Sequence, residues 1–173
     1  PQVPDDDVWA LKTDQQGYIT ECTRANFMFV NSGRIMLPNR SAVLPGISMA
    51  TVLELAESLG IPVEEGRYNT SDVYAAEGAY ISGTRYCLLP VSTINGVAVP
   101  GPVPSAVTSR LIGAWSELVG LDIVQQALDH LPPEQLLIHQ GISLSLDPPL
   151  LAETPFFKGG SKLKNFGRLR RPK

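Results

Sequence analysis

Residues 14–38 read DQQGYITECTRANFMFVNSGRIMLP, and the alternation of turns with apolar runs in this stretch decides the fold class. Asp14–Gly17 and Asn31–Gly33 are turn chemistry, each ending in a glycine able to take positive φ. Around them, Tyr18–Cys22, Asn26–Val30 and Arg34–Leu37 read as short strands, preceded by another at Val8–Thr13. The stretch is therefore a meander of hairpins. Glu21 stands inside it. By residue type alone, it is a solvated strand residue, a partner for a nearby arginine, or an electrostatic handle on a bound cation.

Downstream, Pro45 and Gly46 break the chain in LPGIS. Ser48 is placed to cap a helix through MATVLELAESLG, with Val52, Leu55, Ala56 and Leu59 on one face and Gly60 closing it. Ile61–Glu65 reads as a returning strand, TSDVYAAE as a short capped helix begun by Thr70 or Ser71, and GAYISGT as a strand ending in a glycine turn. Leu88–Ile94, Asn95-Gly96 and Val97–Val99 have the pattern of a hairpin. Ser105–Leu131 carries a long helical pattern through Val107, Leu111, Trp115, Leu118, Ile123, Val124 and Leu128, broken at Gly120. Strands and helices that are mixed rather than strictly alternating imply an α+β domain over residues 1–131. Beyond Leu131 prolines cluster and no period is sustained, so residues 132–173 are expected to be an irregular, poorly ordered segment with a basic tail.

At 173 residues and 43% apolar, the chain is long enough for one domain with a sizeable core. It has no apolar run of about 18 residues, and PQVPDDDV lacks the basic and apolar regions of a signal peptide, so a cytoplasmic chain is expected. Cys22 and Cys87 match no metal spacing and read as free buried thiols. The Pro-rich start without an initiator Met suggests a chain that begins inside a longer parent. Residues 158–173 hold seven basic and no acidic residues, while the other 157 residues hold seven basic against 17 acidic, a net of −10. The tail, with Phe166 interleaved, could bind phosphate backbones, but no basic face extends into the body and a solubilising end is the reading adopted. His130 and His139 have no Cys or carboxylate at metal-ligand spacing and receive no role.

Three stretches join a tight turn to ligand-binding groups: Glu21 in ITECTRANF, Gly46-Ile47-Ser48 in LPGIS, and Gly83-Thr84 in ISGTRY. Gly46 permits close backbone approach, and the amides of Ile47 and Ser48 open a helix whose N-terminal dipole favours a phosphate. Each stretch alone is equally an ordinary cap, turn or strand residue. Together and in this order, over about residues 7–120, they resemble the larger domain of the class IV aminotransferases. The matching text is DQQGYITECTRANFMFVNSGRIMLP, VLPGISMATVLELAESLGIPVEE, DVYAAEGAYISGTRYCLLPVSTINGV and the helix after GPVPSAVTSRL.

That resemblance implies the D-amino-acid-aminotransferase-like fold, a pseudo-barrel of strands with flanking helices, and the cofactor pyridoxal 5′-phosphate. It implies that Glu21 faces the pyridine nitrogen, and that Gly46, Ile47, Ser48, Gly83 and Thr84 hold the 5′-phosphate. It also implies an amino acid or amine and a 2-oxo acid as substrates, and a homodimer in the full-length form. Arg85 and Tyr86 stand where many relatives have small residues, and they are tentative substrate contacts. The family's Schiff-base lysine lies well over twenty residues before the glutamate, and this chain offers only twenty. Lys12 reads as structural or exposed, the small N-terminal domain is missing, and the chain alone is expected to be inactive. Two other readings stand beside this one: a non-catalytic binding protein on the same scaffold, and an enzyme like aminodeoxychorismate lyase.

Overall fold

The computed structural model describes residues 8–130 and 142–146. β1 (Val8–Thr13) pairs antiparallel with β2 (Ile19–Cys22), and β3 (Asn26–Asn31) pairs antiparallel with β4 (Arg34–Pro38). The expected meander is thus two hairpins, because β2 and β3 meet at a single bridge, Cys22 to Ala25. The Asp14 carboxylate accepts the amides of Gln16 and Tyr18, both at 2.9 Å, and builds the first turn. In the second turn, Ser32 and Gly33 take φ of 50° and 69°. Their amides donate to Glu77 at 3.0 and 3.2 Å, so a carboxylate caps a primed turn whose twist suits the strands.

Helix α1 (Ile47–Ser58) links β4 to the parallel strand β5 (Val63–Gly66). Gly60 at φ 64° ends the helix: its amide bonds the Glu57 carbonyl, and that of Ile61 bonds Ala56. The returning strand consequently starts at Val63 rather than Ile61, which is spent on closing the helix. The short helix α2 (Thr70–Tyr74) is capped by Asn69, one residue earlier than expected, with Asp72 completing a capping box. β6 (Gly78–Gly83), β7 (Cys87–Ile94) and β8 (Val97–Ala98) complete the antiparallel part. Ser105 caps α3 (Ala106–Val119), Gly120 stops it at φ 66°, and α4 (Ile123–Asp129) follows.

The strands form one mixed sheet in the order β2-β1-β9-β7-β6-β3-β4-β5, with β8 on β7. β9 (Ile142–Leu146) runs parallel to both β1 and β7 and lies inside the stretch expected to be irregular. A strand whose pairing partners are so distant in sequence has no local signal beyond its own composition. The remainder of residues 132–173, with His139 and the basic tail, lies outside the described residues.

β3 and β6 are covered on both faces. Phe27, Phe29, Ala79 and Ile81 join Leu11, Ile19, Cys22, Val91 and Ile94 inside the curl of the sheet, while Met28, Val30 and Tyr80 pack under Val52, Leu55, Leu111 and Trp115 of α1 and α3. Coverage on both sides explains why β3 reads as an unbroken FMFV run. The backbone amide of Ile19 donates to the Tyr68 carbonyl at 2.8 Å and ties β2 to the segment before α2. Burial on α3 stops at Trp115. Leu118 and Val124, both part of the helical apolar pattern, are 62% and 45% exposed.

Tyr80 is fully buried, its hydroxyl has no hydrogen-bond partner among the described residues, and burial pushes its ionisation well above the usual phenol range. A buried hydroxyl without a partner carries an uncompensated desolvation cost. Tyr80→Phe is therefore expected to stabilise the chain by about 1 kcal/mol in urea denaturation. A loss of stability in this variant would show that the hydroxyl is satisfied.

Candidate functional site

The site starts from an irregularity between β1 and β2. Leu11 pairs with Cys22 and Thr13 with Ile19, so Thr20 and Glu21 together oppose Lys12. Such a bulge breaks the alternation of side chains and re-aims one of them. The Thr20 hydroxyl donates to the Lys12 carbonyl at 3.1 Å, while Lys12 Nζ lies 3.3 Å from Glu21 Oε1. Glu21 is thus a half-buried carboxylate paired with a lysine, not with an arginine. Its other oxygen, Oε2, accepts the Leu44 amide at 2.9 Å and the Asn26 side-chain amide at 3.3 Å.

Asn26 joins the parts. Almost fully buried, it also donates to the Leu44 carbonyl at 2.9 Å, fastening the loop before α1 to the carboxylate. Gly46, the N-cap of α1, has an ordinary extended backbone, so its lack of a side chain matters for space and not for φ. A Cβ on Gly46 would run into Asn26 Oδ1. Ser48, expected to cap the helix, instead lies buried in its first turn, and the glycine cap supplies no side-chain acceptor. The first amides of α1, including those of Ile47 and Ser48, have no intrahelical acceptor and remain available as donors. Ile47 and Leu44 expose 78% and 72% of their surface and form an apolar rim.

The third stretch reaches the same end of the sheet. Asn26 pairs with Ser82 across β3 and β6, so Gly83 and Thr84 continue past the carboxylate end of β3. Ser82, directly opposite Asn26, buries a hydroxyl that has no partner among the described residues. Thr84 and Arg85 are exposed in the turn between β6 and β7. Tyr86 turns inward. Its ring meets Trp9 edge-on at 5.7 Å, and a Cβ on Gly83 would come within 2.7 Å of its hydroxyl. Burial, chiefly, pushes the Tyr86 ionisation up to about 12. Cys87, next in the chain, has φ 57° and a thiol that burial pushes up, while Cys22 is buried.

The fold therefore brings Glu21, Gly46, Ile47 and Ser48 together through Asn26 and sets Gly83 and Thr84 at the same sheet end. Asn26 was not singled out from the sequence, although it is five residues from Glu21. The Thr20–Glu21 bulge has no sequence signal. Among the described residues no group of His, Cys, Asp or Glu side chains converges to hold a metal ion, and no helix is long and apolar enough to cross a membrane.

A curled mixed sheet that presents a carboxylate beside an uncapped helix N-terminus defines an α+β domain suited to a ligand with a cationic and an anionic end. Residues 5–94 match the amino-transferase class IV family, and the chain belongs to it. It is 31% identical over 110 residues to the branched-chain-amino-acid aminotransferase of Pseudomonas aeruginosa, covering 64% of this chain and 36% of that protein. It resembles the branched-chain amino acid aminotransferase structure from Escherichia coli, at 30% identity and TM-score 0.58, over 65% of this chain and 38% of that one. An aminotransferase structure from Brucella abortus, bound to the cofactor PLP, shares the fold at 23% identity and TM-score 0.60, over 65% of this chain and 39% of that one. The chain spans 20% to 36% of the length of curated relatives that it matches.

Proposed function

We propose that this chain forms the cofactor-binding part of a pyridoxal 5′-phosphate aminotransferase that moves an amino group between an amino acid and a 2-oxo acid. The relatives' names point to branched-chain amino acids as the substrate class. The observation that carries the reading is the Asn26 junction, which holds a carboxylate against the loop that opens α1. The donor set fits the cofactor's two ends: Glu21 for a protonated ring nitrogen, and the amides of Ile47 and Ser48 with the Thr84 hydroxyl for a phosphate. The bound cofactor supplies an electron sink for the reacting carbon. Glu21 keeps a proton on the ring nitrogen, and Gly46 leaves the backbone bare for close approach. Arg85, exposed beside Thr84, is a candidate for a substrate carboxylate.

No lysine other than Lys12 precedes Lys158, and Lys12 is engaged by Glu21. The 173-residue chain alone is expected to bind cofactor and not to transaminate. Calorimetric titration with pyridoxal 5′-phosphate tests the first part. Saturable binding that is competed by inorganic phosphate and weakened at least tenfold by Thr84→Val is the expected result, the loss of one charge-assisted contact being worth about 1.5–3 kcal/mol. No binding would favour a non-catalytic scaffold, and turnover by the chain alone would overturn the second part.

A further inference from the structure

Glu21 uses its two oxygens unequally. Oε2 is anchored by two donors, the Leu44 amide and the Asn26 amide, and both belong to the frame of the site. Among the described residues, Oε1 has one partner, the half-exposed Lys12 ammonium at 3.3 Å, on a flexible side chain. Both pairings follow from the bulge that sets Thr20 and Glu21 against a single β1 residue. With Lys12 removed, the carboxylate would still be held through Oε2, so the lysine is not needed to position it.

We propose that Lys12 is an internal competitor for Glu21, a cation that occupies Oε1 and lowers the affinity of the site for a ligand with a protonated pyridine ring. This rests on the cofactor reading above. A pyridinium reaching Oε1 meets a second positive charge, and two unit charges about 4 Å apart repel by about 1 kcal/mol at water-like screening, or about a fivefold loss of affinity. Lys12 thereby sets how tightly the carboxylate end grips the ring, while the phosphate end is untouched.

The probe is pyridoxine 5′-phosphate, which has the ring and phosphate but no aldehyde to condense with lysines, titrated calorimetrically into the full 173-residue chain. Lys12→Met is expected to tighten binding about fivefold, and Lys12→Arg to keep the parent affinity because it keeps the charge. The gain should shrink as salt rises and vanish in a Glu21→Gln background. Inorganic phosphate alone should bind both chains equally. Phosphate-competed binding of the probe with no gain in Lys12→Met overturns the competition and leaves the cofactor reading standing. Absence of probe binding in parent and variant alike overturns both.

Discussion

Replacing Asn26 with alanine is expected to lower the stability of the chain by about 2–3 kcal/mol and to abolish measurable cofactor binding. One amide makes two bonds, to the Glu21 carboxylate and to the Leu44 carbonyl. A bond to a charged group is worth about 1.5–3 kcal/mol and a neutral one about 0.5–1.5 kcal/mol, and the 3.3 Å length of the first places it low in that range. The binding loss has a separate cause. Without Asn26, the Leu44 amide is the one bond among the described residues that still ties the loop before α1 to Glu21, and the helix amides lose their fixed distance from the carboxylate. Gly46→Ala should reproduce much of the effect, since the added methyl group displaces the Asn26 side chain from its seat. The two changes act on one contact, so the double variant should cost clearly less than the sum of the single ones. Urea denaturation measures all three. Strict additivity, or an Asn26→Ala cost below about 0.5 kcal/mol, would remove Asn26 from the centre of the site.

Phe29→Ala should cost more, about 3–5 kcal/mol, through the cavity it leaves. Phe29 is 1% exposed inside the curl of the sheet, stacked on Phe27 and edge-on to Tyr68 at 5.0 Å. Those ring contacts add to simple area burial. They also hold the segment whose carbonyl receives the Ile19 amide, so the curl itself depends on them. Domains of this size are stable by about 5–15 kcal/mol, so the variant should lose from about a fifth to all of its margin. The check is a fall in the urea midpoint, with Val63→Ala on the exposed strand β5 as a control that moves it little. A Phe29→Ala midpoint near that of the control would mean that the interior of the curl is loosely packed.

Much of the frame was legible before any coordinates. Strand β1 and the positions of β3, β4, β6 and β7 followed from short apolar runs bounded by turn residues, and the helix stops at Gly60 and Gly120 followed from glycine's tolerance of positive φ. The helix starts were less legible. At Gly46 the decisive quantity is the room needed by Asn26, which belongs to another strand, and at α2 the capping box begins one residue before the threonine. Leu118 and Val124 keep the helical period yet stay exposed, because periodicity reports which face is apolar and not whether a partner covers it.

The candidate site divides along the same line. Glu21, Gly46, Ile47, Ser48, Gly83 and Thr84 could be picked out from residue types in a fixed order, since a carboxylate, a bare backbone and a hydroxyl carry their chemistry wherever they stand. Their assembly could not, because it depends on a one-residue bulge, on a buried asparagine reaching across 18 residues to Leu44, and on the strand register that sets Ser82 opposite Asn26. Local sequence encodes the preferences of each turn and strand. The partner of each carboxylate oxygen is a matter of packing between segments distant in the chain, and here that packing anchors Oε2 to the frame and leaves Oε1 to Lys12.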